Sequence, residues 1–173
     1  MRQVAFFRNL NLGQARSKSP TSAQLLSAFR AAGAEQATNF QVNGTVVFDS
    51  AQPDPVVVAV RRVLSDLTGY ADAAVVRDAA WLVALGRRLD PGLPGGEVAL
   101  FDAWEVPPLE LPWVDPSGAL TVLEFDGLHA VTSWTSVASG SGSNPVLTRM
   151  LGVPVTCRGV PTMIRLAARL SAR

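Results

Sequence analysis

Arg8, Asn11 and Gly13 follow the apolar run VAFF near the start of the sequence. Lys18 comes five residues later, and no acid precedes Glu35. Arginine's planar fork meets phosphate or carboxylate oxygens in pairs, an ammonium adds a point charge, and glycine lets backbone approach closely. Such a set suits a small anion. A second set stands toward the other end, with Thr156, Arg158 and Thr162 in TCRGVPT and Ser141, Ser143 and Asn144 in the loop ASGSGSNP. Asn144 followed by Pro145 suits a helix cap with proline in the first turn, and N–H groups there can hold a phosphate or carboxylate. The Gly-Lys-Ser/Thr ending of a nucleotide phosphate loop is missing.

Other chemistries lack their residues. His129 is the only histidine and Cys157 the only cysteine, so neither a histidine-centred triad nor a zinc site has its parts, and no internal disulfide can form. His129 reads as a satisfied strand histidine and Cys157 as a core residue. The carboxylates Asp49 with Asp54, and Asp102 with Glu105, flank prolines or strand ends without metal-site or glycosidase spacing. No cofactor is indicated, and an enzyme is not the leading reading.

The 173 residues carry a net charge of +1 that hides an asymmetry. All fourteen acids lie between Glu35 and Asp126 with only five arginines, a net of −9, whereas residues 1–34 and 127–173 carry +5 each. If the chain ends meet, one face attracts anions. A hydrophobic content of 48% and a charged content of 17% suit a globular domain rather than a disordered chain. Val4–Phe7 is too short for a signal segment and no apolar run approaches a membrane span, so a cytoplasmic protein is expected.

These residues need elements to position them. Gln3–Arg8 reads as a strand. Thr21 caps a helix bearing Leu25, Leu26 and Phe29, which Gly33 ends. Thr38–Val42 and Thr45–Asp49 flank Asn43-Gly44, a type I′ hairpin signal. A helix from Pro53 buries Val56, Val57, Val60 and Leu64, Gly69 stops it, and Asp72–Arg77 is a strand. Residues 1–77 thus run βαββαβ, the ferredoxin-like order. A connecting helix Asp78–Leu89 and the linker DPGLPGG complete residues 78–96. Residues 97–173 partly repeat the order: strand Glu97–Trp104, proline-rich Val106–Trp113 in place of a first helix, a hairpin around Asp126-Gly127, helix Pro145–Leu151, strand Val153–Cys157 and helix Pro161–Leu170. The expected class is α+β, two ferredoxin-like halves with antiparallel sheets, the second degenerate. In the last helix Met163, Leu166, Ala167 and Leu170 form an apolar stripe beside Thr162, Arg165, Arg169 and Arg173.

Three stretches together resemble the bacterial family called domain of unknown function 1697. RNLNLGQ keeps Arg8, Asn11 and Gly13 of the family's opening arginine-glycine-isoleucine-asparagine-valine-glycine-glycine loop and departs at Asn9 and Gln14. NGTVVF keeps Gly44, Val46, Val47 and Phe48 of its first hairpin, with Asn43 and Thr45 at the polar positions. TCRGVPT keeps Thr156, Arg158 and Thr162, with Gly159 in place of an asparagine. The resemblance spans nearly the whole chain. It implies the duplicated fold and no established activity.

The function expected is binding of a small phosphate- or carboxylate-bearing ligand, such as a nucleotide, in a basic cleft. Arg8, Asn11, Gly13, Lys18, Asn43 and Gly44 would supply one side, and Ser141, Ser143, Asn144, Thr156, Arg158 and Thr162 the other. One alternative is sequence-tolerant binding of single-stranded nucleic acid, with Phe6 or Phe7 and Phe48 as stacking rings. Another is a protein-interaction module anchored by Trp81, Trp104, Trp113 or Trp134.

Overall fold

The computed structural model describes residues 1–14, 18–103, 105–135 and 142–172. The protein is α+β, with two antiparallel sheets and five helices among the described residues, and it divides into two compact units, Met1–Trp81 and Leu82–Arg173.

In the first unit β1 (Arg2–Phe7) is central because Val4 to Phe7 is apolar without a break, and all four residues are fully buried. β3 (Thr45–Asp49) and β4 (Ala74–Asp78) pair with it on either side, and β2 (Glu35–Asn39) lies outside β3, giving the order β2-β3-β1-β4. Ala5, Phe7, Val46 and Phe48 share one core with Leu25, Ala28 and Phe29 of α1 (Ser22–Ala31) and Val56, Val57, Val60 and Leu64 of α2 (Pro53–Thr68). An aromatic cluster fills it, Phe7 edge-on to Phe29 at 6.0 Å and Phe29 to Phe48 at 5.0 Å. Thr21 and Gln24 form the capping box that starts α1, and Gly69 in the left-handed region ends α2.

The hairpin differs from the expected two-residue turn. β2 ends at Asn39 and five residues, Phe40–Gly44, connect it to β3, with left-handed backbone at Gln41 and Gly44 but not at Asn43. The cause is competition for backbone partners. Phe7 N–H donates to Gly44 O and Leu12 N–H to Val42 O, both at 2.8 Å, so residues 42 and 44 serve the loop after β1.

The unit boundary falls within α3 (Ala79–Arg88). The second unit then runs β5 (Glu97–Leu100), β6 (Trp113–Val114), β7 (Leu120–Phe125), β8 (His129–Trp134), α4 (Asn144–Leu151), β9 (Thr156–Gly159) and α5 (Val160–Ser171). Its sheet order is β6-β7-β8-β5-β9. Leaving out the two-residue edge strand β6, the order second-third-first-fourth occurs in both sheets. No helix forms among the described residues between β5 and β7, where Pro107, Pro108 and Pro112 remove backbone donors. The last sheet strand begins at Thr156 rather than Val153, and the first stops at Leu100. Trp104 lies outside the described residues.

The core of this unit joins Ala99, Phe101, Leu120, Val122, Ala130, Leu147 and Val155. α5 buries the expected stripe of Met163, Leu166, Ala167 and Leu170. Gly86 of α3 lets that helix approach closely, since a Cβ there would lie 2.3 Å from the Ala167 Cβ. DPGLPGG also packs closely, because a Cβ on Gly95 would lie 2.7 Å from Trp134 O. No helix among the described residues is long and apolar enough to cross a membrane.

Candidate functional site

Arg8 emerges where β1 ends. Its N–H donates to Ala73 O and its carbonyl accepts the Tyr70 hydroxyl at 2.6 Å, so the segment just before β4 fixes its position. The guanidinium Nη1 reaches both oxygens of Asp72 at 3.0 and 3.2 Å. Asn9 Nδ2 donates to the same carboxylate at 2.7 Å and Ala73 N–H at 2.8 Å. Burial pushes the Asp72 carboxyl upward, but the Ala73 N–H, Arg8 and Asn9 together outweigh it and hold it below the usual aspartate range. These contacts engage both carboxylate oxygens. Asp72 fastens the Arg8–Asn9 turn and offsets the Arg8 charge, so the expected acid-free surface contains an acid supplied 64 residues downstream.

The rest of the first set lies close to this turn. Asn11 N–H donates to Ser19 Oγ at 3.1 Å and Gly13 N–H to Pro20 O at 3.1 Å, closing the loop on itself. Gly13 has φ +75 with open space around it, so backbone conformation alone requires glycine there. Asn43 Oδ1 accepts from Thr45 Oγ1 at 2.9 Å. Gly44 is required twice over, by φ +68 and by Leu10, whose Cβ would lie 3.0 Å from an added methyl group. Lys18 is exposed and has no ion pair or side-chain hydrogen bond among the described residues. It borders a hollow of about 380 Å³ formed with Asn9, Gly69, Tyr70, Ala71 and Asp72. Tyr70 and Asp72 are not among the site residues the sequence points to, and Asn9 enters there only as a departure from the family's opening loop. The signal for Asp72 was the register of β4, which places it beside the residues after Phe7.

The second set is organised around a different acid. Glu97, the first residue of β5, presents Oε2 to Ser143 N–H at 2.8 Å, Ser143 Oγ at 2.7 Å and Trp134 Nε1 at 3.2 Å. Gly142, with φ +58, leaves room for that carboxylate, since a Cβ there would lie 3.0 Å from Glu97 Oε1. Ser143 is wholly buried and is itself the residue preceding α4, one position before the expected cap, with its hydroxyl spent on Glu97. Thus the donors at Ser143 meet a carboxylate of the protein's own. Asn144 accepts from Thr148 Oγ1 at 3.0 Å. Ser141 lies outside the described residues.

Arg158 is buried, and its Nη1 donates to Thr156 Oγ1 at 3.0 Å and Cys157 O at 2.8 Å. Arg77 repeats this arrangement in the first unit. It is buried, and its Nη1 donates to the preceding carbonyl, Val76 O, at 2.7 Å. It stands opposite Val4 of β1 as Arg158 stands opposite Val98 of β5. Thr162 accepts from Arg165 at 3.2 Å. Cys157 packs against the core, as expected, with Sγ 3.2 Å from Ser143 Oγ.

The stacking rings of the nucleic-acid alternative are withdrawn from any partner, since Phe6, Phe7 and Phe48 are fully buried as strand residues. Trp113 and Trp134 pack against the second core. Arg77 lies 5.8 Å from the centre of the Trp81 ring. Among the described residues, no group of three or more His, Cys, Asp or Glu side chains is placed to hold a metal ion.

The structure of a conserved bacterial protein, SP0830 from Streptococcus pneumoniae, is similar over 98% of this chain and 98% of its own, with a TM-score of 0.63 and 14% identity. That likeness shows a shared fold. No curated protein matches the sequence. The family model described as protein of unknown function (DUF1697) matches residues 1–89, which include RNLNLGQ and NGTVVF but not TCRGVPT. With its two motifs interlocked and the match covering the first half, the chain belongs to the DUF1697 family, an uncharacterised bacterial domain.

Proposed function

We propose that the protein binds a small phosphate- or carboxylate-bearing ligand, such as a nucleotide, at the first unit's hollow, with Lys18 as the cation that meets the anion. The observation that carries this reading is the division of labour around Asp72. Arg8 and Asn9 are already committed to that carboxylate, while the Lys18 ammonium stands exposed at the rim. With Asp72 already bonded to Arg8 and Asn9, the Lys18 ammonium is the charge left to meet an incoming anion. Asn11, Gly13, Asn43 and Gly44 act by shaping the loop that presents this rim. In the second unit Arg158 donates to Thr156, Thr162 accepts from Arg165, and Ser143 precedes α4 with Asn144 as its first residue, so these groups order their own unit.

The repeated strand order and the matched positions of Arg77 and Arg158 support reading the chain as two ferredoxin-like halves, 1–77 and 97–173, joined by residues 78–96. Melting-temperature titrations with inorganic pyrophosphate and adenosine monophosphate at constant ionic strength test the binding reading. Stabilisation that disappears in Lys18→Ala supports it, and no stabilisation by either probe rejects it.

A further inference from the structure

We propose that Arg88 and His129 form a proton-operated fastener that ties the C-terminal turn of α3 to the β7–β8 hairpin and releases it when the imidazole takes a second proton. The His129 side chain is 5% exposed, although it begins a strand. Arg88 Nη2 stands 3.1 Å from His129 Nε2. A guanidinium has no lone pair and keeps its protons at any working pH, so Arg88 is the donor and Nε2 the acceptor. The ring is therefore neutral, with its proton on Nδ1. That atom lies 3.0 Å from Asp126 Oδ2, the carboxylate whose other oxygen accepts the N–H groups of Leu128 and His129 at 2.7 Å. The Arg88 contact thereby sets the tautomer, and the Asp126 carboxylate faces the Nδ1 side of the ring as a nearby anion without a hydrogen bond to it.

A second proton has only Nε2 to occupy. It turns the Arg88 contact from a hydrogen bond into two cations facing each other at 3.1 Å. Glu124 Oε2, paired with Arg88 Nη1, also lies 3.4 Å from Nε2 and can accept from the imidazolium. One proton thus exchanges the partners. Glu124 turns toward the ring, and Arg88, whose side chain is 49% exposed, moves into solvent.

The other elements beside the ring bear on the balance. α3 supplies the cation Arg88, β7 the anion Glu124 and the hairpin turn the anion Asp126. β5 brings Leu100 to the same cross-strand row and no charge there. β9 brings Thr156 to that row, with the Arg158 guanidinium bonded to it.

Because His129 is the only histidine, its ring nitrogens give one isolated signal in a ¹⁵N-edited spectrum of the intact chain. The expected spectrum at pH 8 is the Nδ1–H tautomer, the less common form of a free imidazole. On acidification the ring signal changes to imidazolium, and hydrogen exchange of the α3 amides Leu85–Arg88 speeds up at the same midpoint by about tenfold or more. In Arg88→Ala, an exposed position where folding is not at risk, those amides exchange fast at pH 8 and no longer respond to the ring. An Nε2–H tautomer in the wild type at pH 8 overturns the proposal. So does α3 exchange that ignores the titration of the ring, or an Arg88→Ala variant that behaves like the wild type.

Discussion

Gly44 and Leu10 meet where the two halves of one surface interlock. A methyl group on Gly44 would lie 3.0 Å from both Cβ and Cδ2 of Leu10 and 3.1 Å from its carbonyl oxygen, and Leu10 is buried. The loop after β1 and the loop before β3 are thus one packed body, joined also by the bonds from Phe7 to Gly44 and from Leu12 to Val42. This explains why a glycine is needed 34 residues away from the loop it supports.

Gly44→Ala therefore carries two penalties, a left-handed backbone and a displaced Leu10. The expected loss is about 2–3 kcal/mol, from roughly 1–2 kcal/mol of backbone strain plus overpacking. Urea unfolding measures it. A loss below about 0.5 kcal/mol would mean that Leu10 moves aside freely and that the loops are not locked together.

The Arg8–Asp72 contact makes stability depend on pH in a definite direction. The folded-state pKa of Asp72 lies below its unfolded value, taken as the ordinary 3.8. Its contribution is therefore complete above that value and is lost as pH falls through the lower folded value. Asp72→Asn should destabilise the protein at neutral pH by about 1–3 kcal/mol, because Arg8 loses its carboxylate. The gap between wild type and variant should narrow as the pH falls below 3.8. Unfolding curves at neutral and acid pH decide it, and a constant gap would show that the carboxylate charge contributes nothing.

Glu97 holds three donors, so its removal strands them. In Glu97→Ala the Ser143 N–H, the Ser143 hydroxyl and the Trp134 indole N–H all lose their acceptor. A loss of about 2–4 kcal/mol is expected, with a shift in Trp134 fluorescence, given about 1–3 kcal/mol for each buried donor and partial relaxation. Ser143→Ala, which leaves the indole bond intact, should cost less and leave the fluorescence unmoved. Equal effects from the two variants would contradict the shared-acceptor geometry.

Where side-chain periodicity decides the outcome, the fold was legible in the sequence. The stripe of α5 and the apolar run of β1 stand where the pattern puts them, because a helix or strand can bury only the residues its repeat aligns. The hairpin around Asn43-Gly44 forms, but its turn is longer than two residues, because turn propensity is local whereas Leu12 N–H takes the Val42 carbonyl from another segment. The site was less legible for a related reason. Arg8, Lys18 and Arg158 could be named from their type, but whether a cation is already matched depends on strand pairing. Asp72 faces Arg8 only because β4 runs antiparallel to β1, and Glu97 meets Ser143 across 46 residues. Acid-free segments in a sequence are therefore not acid-free surfaces.

The central claim is that Lys18 receives an anion at the rim of the first unit's hollow, and melting temperature against pyrophosphate at constant ionic strength tests it most directly. A tenfold excess over Kd should raise the melting temperature of the wild type by about 3–5 °C. That rise should vanish in Lys18→Ala and persist in Arg149→Ala, an exposed cation of the second unit. An equal rise in wild type and Lys18→Ala would place any anion elsewhere, and a flat response in the wild type to pyrophosphate and adenosine monophosphate alike would contradict the account.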